Sequence, residues 1–331
     1  MIFSNYFLNT KGFRGEGIIL MYHRICSDTD LKKKNQDYLS VSVSNFKDHL
    51  RYLKENYSIV SINDFLFGKK QASDKFQIVI TFDDGYKDNL DLAIPILQEF
   101  NVPATIYITT RFPEEDTSMW WYELKEFIEN RIEKLDFKFD NKNYSFTLNT
   151  KSKKEKSFNK IAKIIKSLNK LKQNELLSII TKTETRRKYD REVMNWTEIK
   201  EANRSPLITI GAHTHNHLSL KNLKTDECLE EIRKSKELLK NKLNDKIDHF
   251  SYPFGSKYDA GEREFNIVEK LGFKSAVTTR VNILYKKNKF SLPRIYIGGN
   301  TKIRELKIKL SGMYFFFYKL KEKLFKKLNN N

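Results

Sequence analysis

Short apolar runs alternate with segments of helical periodicity along much of the chain. The runs GIILMYHRI at Gly17–Ile25, IVITF at Ile78–Phe82 and ATIYITT at Ala104–Thr110 are rich in aliphatic residues, many of them β-branched, and end next to polar residues. Such runs, bounded by turn residues, are typical of buried strands. Apolar residues recur at helical spacing in Asp91–Phe100 and Thr225–Leu243. This alternation of strands and helices predicts an α/β fold built from parallel βα units.

Residues 113–192 interrupt the alternation. An aromatic segment, Met119–Ile128, has helical character, and FKFDNKNYSFTL within Phe137–Leu148 predicts a hairpin with Asp140–Asn143 at its turn. The lysine-rich Lys151–Lys188 carries apolar residues at helical spacing. We interpret residues 113–192 as an insertion laid over one side of a domain that spans residues 1–300.

Residues 301–331 form a basic tail with nine Lys or Arg residues and two Glu residues. One helical face carries Met313, Phe317, Leu320, Leu324 and Leu328, and the opposite face carries Lys319, Lys323 and Lys326. A basic amphipathic helix of this kind predicts peripheral membrane association. A helix that docks on the domain through the same apolar face is the open alternative.

Composition limits the compartment and the partners. The formal net charge is +19, yet no basic stretch carries a zinc-knuckle, helix-turn-helix or RNP-like pattern, so we expect no nucleic acid. Cys26 and Cys228 lie far apart, which fits a reducing compartment. We find neither a signal peptide nor a run of about 18 apolar residues. The predicted location is the cytoplasm, at the inner face of the membrane if the tail binds lipid.

Candidate chemistry is concentrated at the end of the Ile78–Phe82 run. Asp83 and Asp84 follow it directly, and two adjacent carboxylates repel unless a cation lies between them or one is neutralised. His213 and His217 are four residues apart, so one helical turn would place both imidazoles on one face. One carboxylate with two histidines leaves a coordination position open, which is typical of catalytic rather than structural zinc.

These two motifs, TFDDGY and HTxxH, resemble those of the NodB-type polysaccharide deacetylases of carbohydrate esterase family 4. The resemblance covers most of residues 18–297 and implies a distorted (β/α) barrel. When the family's residue roles are transferred to this chain, Asp83 is the general base, and Asp84, His213 and His217 bind a divalent metal. Zinc is the default metal, and cobalt or nickel are alternatives. The implied activity is removal of N-acetyl groups from a sugar. A cytoplasmic enzyme with a basic amphipathic tail suggests that this sugar belongs to a surface polysaccharide or lipid-linked saccharide.

His23 is the candidate general acid. No late Leu-x-His motif, which supplies the acid in many of these deacetylases, is found in the chain. His23 instead follows Tyr22 near the N-terminus, and this Tyr-His pair resembles that of the permuted relatives acting on poly-N-acetylglucosamine. A lone histidine at a strand end is otherwise more often structural.

The segment Phe250–Gly255, FSYPFG, resembles the family's Arg-x-Pro-Tyr motif but has Ser251 at the arginine position. We expect Arg294 in SLPRI to replace that arginine by pairing with Asp83, the alternative being a surface salt bridge. The backbone N–H of Phe254 is the candidate oxyanion donor.

Several other polar and aromatic residues are expected to have structural or supporting roles. Asp88 and Asn89 are expected to cap the following helix, the alternative being that they support the loop that carries the metal ligand. His215 is expected to point away from the metal. Trp120 and Trp121 either stack on sugar rings or pack the insertion against the barrel.

Alternative functions stay open at the level of sequence. A deformylase or another amidase would use the same site on a sugar or small molecule. A catalytically silent glycan-binding protein is favoured by the missing motif arginine and opposed by the intact Asp, Asp, His and His set. A nucleic-acid binder ranks third.

Overall fold

The computed structural model describes residues 15–33, 38–68, 75–114, 119–182, 189–312, 314–315, 317–318 and 320. The described part of the chain forms one large parallel sheet and two smaller strand pairs. The strands are β1 (Ile18–Tyr22), β2 (Arg24–Cys26), β3 (Ser40–Ser42), β4 (Ser58–Ile59), β5 (Gln77–Phe82), β6 (Ala104–Ile108), β7 (Lys134–Phe139), β8 (Lys142–Thr147), β9 (Ile208–Ala212), β10 (His249–Ser251), β11 (Ser275–Val277) and β12 (Ile295–Tyr296).

The large sheet has the strand order β11-β10-β9-β6-β5-β1-β12, and β4 pairs with the first residues of β5. All of its neighbouring strands are parallel. Backbone hydrogen bonds between Leu292 and Ala276 and between Thr278 and Leu292 connect β11 to the segment that leads into β12. The sheet therefore curls until its two edges approach each other, and the predicted distorted (β/α) barrel is confirmed.

Helices connect the strands. They are α1 (Asp28–Lys33), α2 (Val43–Asn56), α3 (Ile62–Phe67), α4 (Ile94–Phe100), α5 (Trp120–Glu129), α6 (Lys151–Lys166), α7 (Lys170–Thr181), α8 (Trp196–Asn203), α9 (Thr225–Leu243), α10 (Glu262–Lys270) and α11 (Ile303–Lys309). A π-helical turn at Asn89–Ala93 leads into α4, and 3₁₀ turns occupy Phe112–Glu114, Asp190–Glu192, Leu220–Asn222 and Lys286–Asn288.

Alternate residues of the strands serve two cores. Ile18, Leu20 and Tyr22 of β1 pack in the main core with the apolar faces of the helices, whereas Ile19 belongs to a smaller cluster on the other face of the sheet. This alternation follows from the two-residue period of a strand. The continuous apolar runs seen in the sequence are therefore strands buried on both faces.

The insertion forms a second apolar cluster of its own. It contains α5, the hairpin β7–β8, α6 and α7, and it packs against barrel residues such as Tyr86. The predicted hairpin is confirmed, with left-handed backbone at Asp140 (φ 45°) and Asn141 (φ 62°) in its two-residue turn. Trp120 and Trp121 are only 5% and 7% exposed, so both pack the insertion against the barrel.

The start of the C-terminal tail packs on the barrel. Leu306, Leu310 and Phe315 are buried in the main core, whereas Ile308, Phe317 and Leu320 are exposed. Met313, Lys319 and residues 321–331, which include Lys323, Leu324, Lys326 and Leu328 of the predicted amphipathic helix, lie outside the described residues. None of the described helices combines the length and the apolar character needed to cross a membrane.

Candidate metal centre and active site

The two carboxylates at the end of β5 point in different directions because the backbone turns between them. Asp83 continues the strand and donates its N–H to the Tyr22 carbonyl at 3.1 Å. Asp84 and Gly85 then adopt left-handed backbone, with φ of 75° and 76°. The left-handed φ favours glycine at position 85, and a Cβ there would also lie 2.8 Å from the end of the Ile108 side chain.

Asp83 forms a buried bidentate pair with Arg294. The guanidinium donates to the two carboxylate oxygens at 2.7 and 2.5 Å, and Ser251 Oγ approaches the same carboxylate at 3.3 Å. Arg294 also donates to the Thr278 carbonyl, to Thr81 Oγ1 and to Ser251 Oγ, which satisfies its fork. The structure thus places the Arg294 guanidinium where the short Ser251 side chain leaves room for it.

The pKa of Asp83 reflects this pairing. Burial alone would raise the pKa of the carboxyl, but the charges of Arg294 and His213 outweigh burial and lower it below its usual value. The carboxylate is therefore ionised at neutral pH, as a general base must be.

Asp84, His213 and His217 meet on the other side of the turn, and all three are buried. The Nε2 atoms of His213 and His217 lie 3.4 and 3.2 Å from Asp84 Oδ1. One potential ligand atom from each residue lies within 4.8 Å of the others. Burial raises the pKa of Asp84, yet the neighbouring imidazoles hold it well below its usual range.

The helical turn expected between His213 and His217 is wrong. His213 directly follows β9, and the chain continues as an irregular loop in which Thr214 and His217 have left-handed backbone, with φ of 62° and 55°. The His217 N–H donates to Thr214 Oγ1 at 3.1 Å. The two imidazoles therefore converge through loop conformation, and the four-residue spacing alone does not explain it.

A hydrogen bond to the backbone fixes the orientation of His213. Its Nδ1 donates to the Ser251 carbonyl at 2.7 Å, so Nε2 is the nitrogen that faces Asp84. Burial lowers the pKa of His213, but the nearby carboxylates and this hydrogen bond raise it overall. For His217, burial prevails and the pKa is lowered.

Glu231 on α9 supports the same loop. Its carboxylate accepts the Asn216 backbone N–H at 2.8 Å and the Asn216 side-chain amide at 2.5 Å, while its carbonyl accepts the His215 N–H at 3.1 Å. Sequence reasoning missed this residue. The available signal was its position among Cys228, Ile232 and Ser235 on the buried face of α9.

The donor set fits a divalent metal. Asp84 Oδ1 is buried and accepts no hydrogen bond from the described residues, although buried polar atoms are normally satisfied. It faces two imidazole nitrogens, one of them with its tautomer fixed. A carboxylate oxygen and two nitrogens form a set that zinc and other first-row metals accept.

The predicted acid, His23, lies beside this centre. It follows β1 and experiences the charges of Asp84, Asp83, Arg294 and His213. Burial lowers its pKa, although the two carboxylates act to raise it. Its Nδ1 is buried and has no hydrogen-bond partner in the described part of the chain. Asn89 donates to the His23 carbonyl at 2.8 Å and so fixes the backbone at this point.

The capping role expected for Asp88 is wrong. Its carboxylate instead accepts Arg24 Nε at 2.7 Å and the Ile25 N–H at 3.1 Å. Arg24 also pairs with Glu192 at 2.5 Å, which connects the strand segment after His23 to the end of the insertion. His215 points away from the metal cluster, as expected, and its Nδ1 lies 3.0 Å from Thr110 Oγ1.

Phe254 lies against the His217 side of the site. Its φ is 60°, and its ring lies 4.8 Å from the His217 ring, centroid to centroid. Its backbone N–H donates to no acceptor among the residues whose positions are described. Trp121 of the insertion adds an aromatic wall 5.1 Å from the His217 ring.

Parts of the chain are similar in sequence to known proteins. A profile of the polysaccharide deacetylase family matches residues 70–276. YxkH of Bacillus subtilis is 34% identical over 94 residues, which are 27% of this chain and 30% of that protein. The poly-beta-1,6-N-acetyl-D-glucosamine N-deacetylase of Staphylococcus aureus is 29% identical over 169 residues, 46% of this chain and 57% of that protein. The aligned segments thus span less than two thirds of either relative.

Solved structures share the fold. The deacetylase PplD of Streptococcus pyogenes, in complex with acetate, superposes with a TM-score of 0.60 at 19% sequence identity. The superposition covers 90% of this chain and 99% of the PplD chain. IcaB from Ammonifex degensii gives 0.55 at 16% identity, with 90% and 98% covered. The family profile spans more than half of the chain, and the predicted class of enzyme is confirmed at that level: the chain belongs to the polysaccharide deacetylase family.

Proposed function

We propose that the protein is a metal-dependent hydrolase that removes N-acetyl groups from a sugar of a surface polysaccharide or lipid-linked saccharide. One observation carries the proposal. An ionised carboxylate, Asp83, lies next to a buried Asp84, His213 and His217 set in which Asp84 Oδ1 lacks a hydrogen-bond donor from the described residues. A base beside a metal site is an arrangement that can activate water for hydrolysis of an amide.

Asp84, His213 and His217 would hold the metal, with zinc as the default. The bound metal supplies Lewis acidity, which polarises a carbonyl oxygen and lowers the pKa of water. Asp83 takes a proton from the water that attacks the acetyl carbonyl carbon, and Arg294 keeps the carboxylate ionised and oriented.

The remaining groups act on the other atoms of the amide. The Phe254 N–H donates to the oxygen on which negative charge develops. His23 delivers a proton to the nitrogen as the C–N bond breaks, because an amide nitrogen leaves as a neutral amine. One C–O bond forms and one C–N bond breaks, so the products are acetate and a free amino sugar.

The similarity to the Staphylococcus aureus enzyme named for poly-beta-1,6-N-acetyl-D-glucosamine supports an N-acetylated hexosamine as substrate. The Arg294–Asp83 pair weakens the alternative of a silent glycan-binding protein, since that reading was favoured by the missing arginine at Ser251.

The test is acetate release from N-acetylglucosamine oligosaccharides by the zinc-loaded protein, with N-formyl oligosaccharides assayed in parallel. We expect acetate release that Asp84→Ala abolishes. Formate release without acetate would favour the deformylase alternative, and release of neither product would contradict the proposal.

We further propose that the basic tail binds the inner face of the membrane and places the enzyme in the cytoplasm. Ile308, Phe317 and Leu320 are 56%, 58% and 44% exposed on a lysine-rich segment, which supports this placement. Deletion of residues 301–331 would also remove the buried Leu306 and Leu310, so point variants give the cleaner test. Phe317→Ser with Leu320→Ser should reduce flotation with anionic vesicles; unchanged flotation would contradict membrane binding.

A further inference from the structure

The C-terminal end of α6 in the insertion lies against the loop that carries Phe254. Lys166, the last residue of α6, places its Nζ 3.0 Å from Asp259 Oδ1 and 4.2 Å from the centroid of the Phe254 ring. Asn222 donates its side-chain amide to the Lys166 carbonyl at 3.0 Å. The insertion is therefore joined to the loops that follow both β10 and the histidine motif.

Asp259 is a fixed acceptor for this ammonium group. Its carboxylate is 3% exposed and accepts hydrogen bonds from Ser219 Oγ at 2.9 Å and Ser256 Oγ at 2.5 Å. Pairs between two exposed side chains, such as Arg233 with Glu230, contribute little because water screens them and both chains lose rotamer freedom. The Lys166 pair differs because its acceptor is already held in place.

Phe254 needs such support. A phenylalanine with φ of 60° is strained, and strained residues persist only where the surrounding structure holds them. The His217 ring lies 4.8 Å from the Phe254 ring, the Trp120 ring lies 6.3 Å from it, and the Lys166 ammonium lies over its face. Two of these three contacts come from the insertion.

We propose that Lys166 is a positioning residue for the reaction: it clamps the Phe254 loop so that the Phe254 N–H meets the developing oxyanion. This inference rests on the proposed function and deepens it, because the insertion becomes a working part of the active site. A donor displaced by about 1 Å can cost on the order of 100-fold in rate, so a loosened clamp acts on kcat.

The test uses zinc-loaded, full-length protein. Lys166→Met keeps the length of the side chain and removes its charge, and we expect kcat to fall by about 10- to 100-fold with KM and zinc content unchanged. Lys166→Arg should restore most of the rate. Lys163→Met, an exposed lysine one turn earlier in α6, is the matched control and should behave as wild type. Asp259→Asn should lower kcat without adding to the effect of Lys166→Met.

A second readout does not depend on turnover. In protein labelled with ¹⁵N-phenylalanine, acetate should shift the Phe254 amide resonance of wild type, because its carboxylate resembles the oxyanion, and Lys166→Met should weaken that shift. Wild-type kcat and a wild-type shift in Lys166→Met would overturn the clamp, as would equal losses of Tm and kcat in both Lys166 variants. If wild type releases no acetate, the proposed function fails, and the Phe254 shift still decides the clamp.

Discussion

The two neighbouring carboxylates at the end of β5 have opposite surroundings. Asp83 is 2% exposed and Asp84 is 4% exposed, so burial does not distinguish them. Asp83 is paired with Arg294 through two hydrogen bonds, whereas Asp84 Oδ1 faces two imidazoles and accepts no hydrogen bond within the described part of the chain. The fold thus supplies its own cation, Arg294, to Asp83, whereas Asp84 belongs to the residue set that we propose holds the metal.

In the proposed mechanism, two adjacent residues take different roles, one as the base and one as a metal ligand. The left-handed backbone at Asp84 and Gly85 sends the two side chains to different partners. Each carboxylate then stays ionised for a separate reason, because Arg294 beside Asp83 and the imidazoles beside Asp84 offset the repulsion between the two charges.

The largest effect is expected when the base is neutralised. Asp83→Asn removes the proton acceptor and keeps the shape, so acetate release should fall by about 10²- to 10⁴-fold. Zinc content should stay at the wild-type level, because Asp83 is not in the ligand set. Acetate release can be followed under saturating substrate, and a variant that keeps wild-type turnover would remove Asp83 from the role of base.

Removing Arg294, the cationic partner of the buried ion pair, should also lower the stability of the fold. Arg294→Met leaves Asp83 buried without its cation, and the free energy of unfolding should fall by about 3–5 kcal/mol. Urea unfolding measures the change, with Ser251→Ala as the milder control because it removes the hydroxyl contacts to Asp83 and Arg294 and leaves both charges in place. A loss under about 1 kcal/mol would show that the Arg294–Asp83 pair contributes no more to stability than an exposed salt bridge.

His49 is a buried histidine outside the proposed metal site, and both of its ring nitrogens have hydrogen-bond partners. Nε2 donates to the Thr301 carbonyl at 2.9 Å and Nδ1 accepts from Tyr22 Oη at 3.1 Å, and burial lowers the pKa of His49 to about 4. A folded-state pKa below the unfolded value near 6.5 means that the unfolded state binds the proton first as pH falls. His49 should therefore cost about 2 kcal/mol of stability between pH 7 and pH 5.

The measurement is the free energy of unfolding at both pH values for wild type and His49→Gln. The stability advantage of wild type should shrink by about that amount at pH 5. An advantage independent of pH would contradict the neutral, fully bonded imidazole.

The smallest effect should come from the support of the histidine loop. Glu231→Gln keeps the size of the side chain and replaces an acceptor facing Asn216 by an amide, so zinc affinity should weaken by about tenfold. Competition with a chelator measures the affinity. Glu230→Gln, on the exposed side of α9, is the control and should bind zinc as wild type does.

Much of the fold and the ligand candidates could be predicted because local patterns carried them. The run Ile78–Phe82 identified the strand that presents Asp83 and Asp84, and a single missing arginine at Ser251 directed attention to Arg294. The loop geometry could not be predicted in the same way. Four-residue spacing is compatible with a helical turn, and only the left-handed conformations of Thr214 and His217 exclude it.

Long-range contacts account for the rest. Lys166 lies far from Asp259 in sequence, within a lysine-rich helix where nothing local distinguishes it from its neighbours. Asp88 has the position of a helix cap. Its carboxylate pairs instead with the buried Arg24 of β2, because a charge-assisted pair is stronger than a single capping hydrogen bond.

Zinc binding to wild type, Asp83→Asn and Asp84→Ala, measured by calorimetry on metal-free protein, tests the difference between the two carboxylates most directly. We expect wild type and Asp83→Asn to bind one zinc ion per chain with similar affinity and Asp84→Ala to bind none. Equal loss of zinc in both variants, or unchanged binding in Asp84→Ala, would contradict the division of the two aspartates into base and ligand.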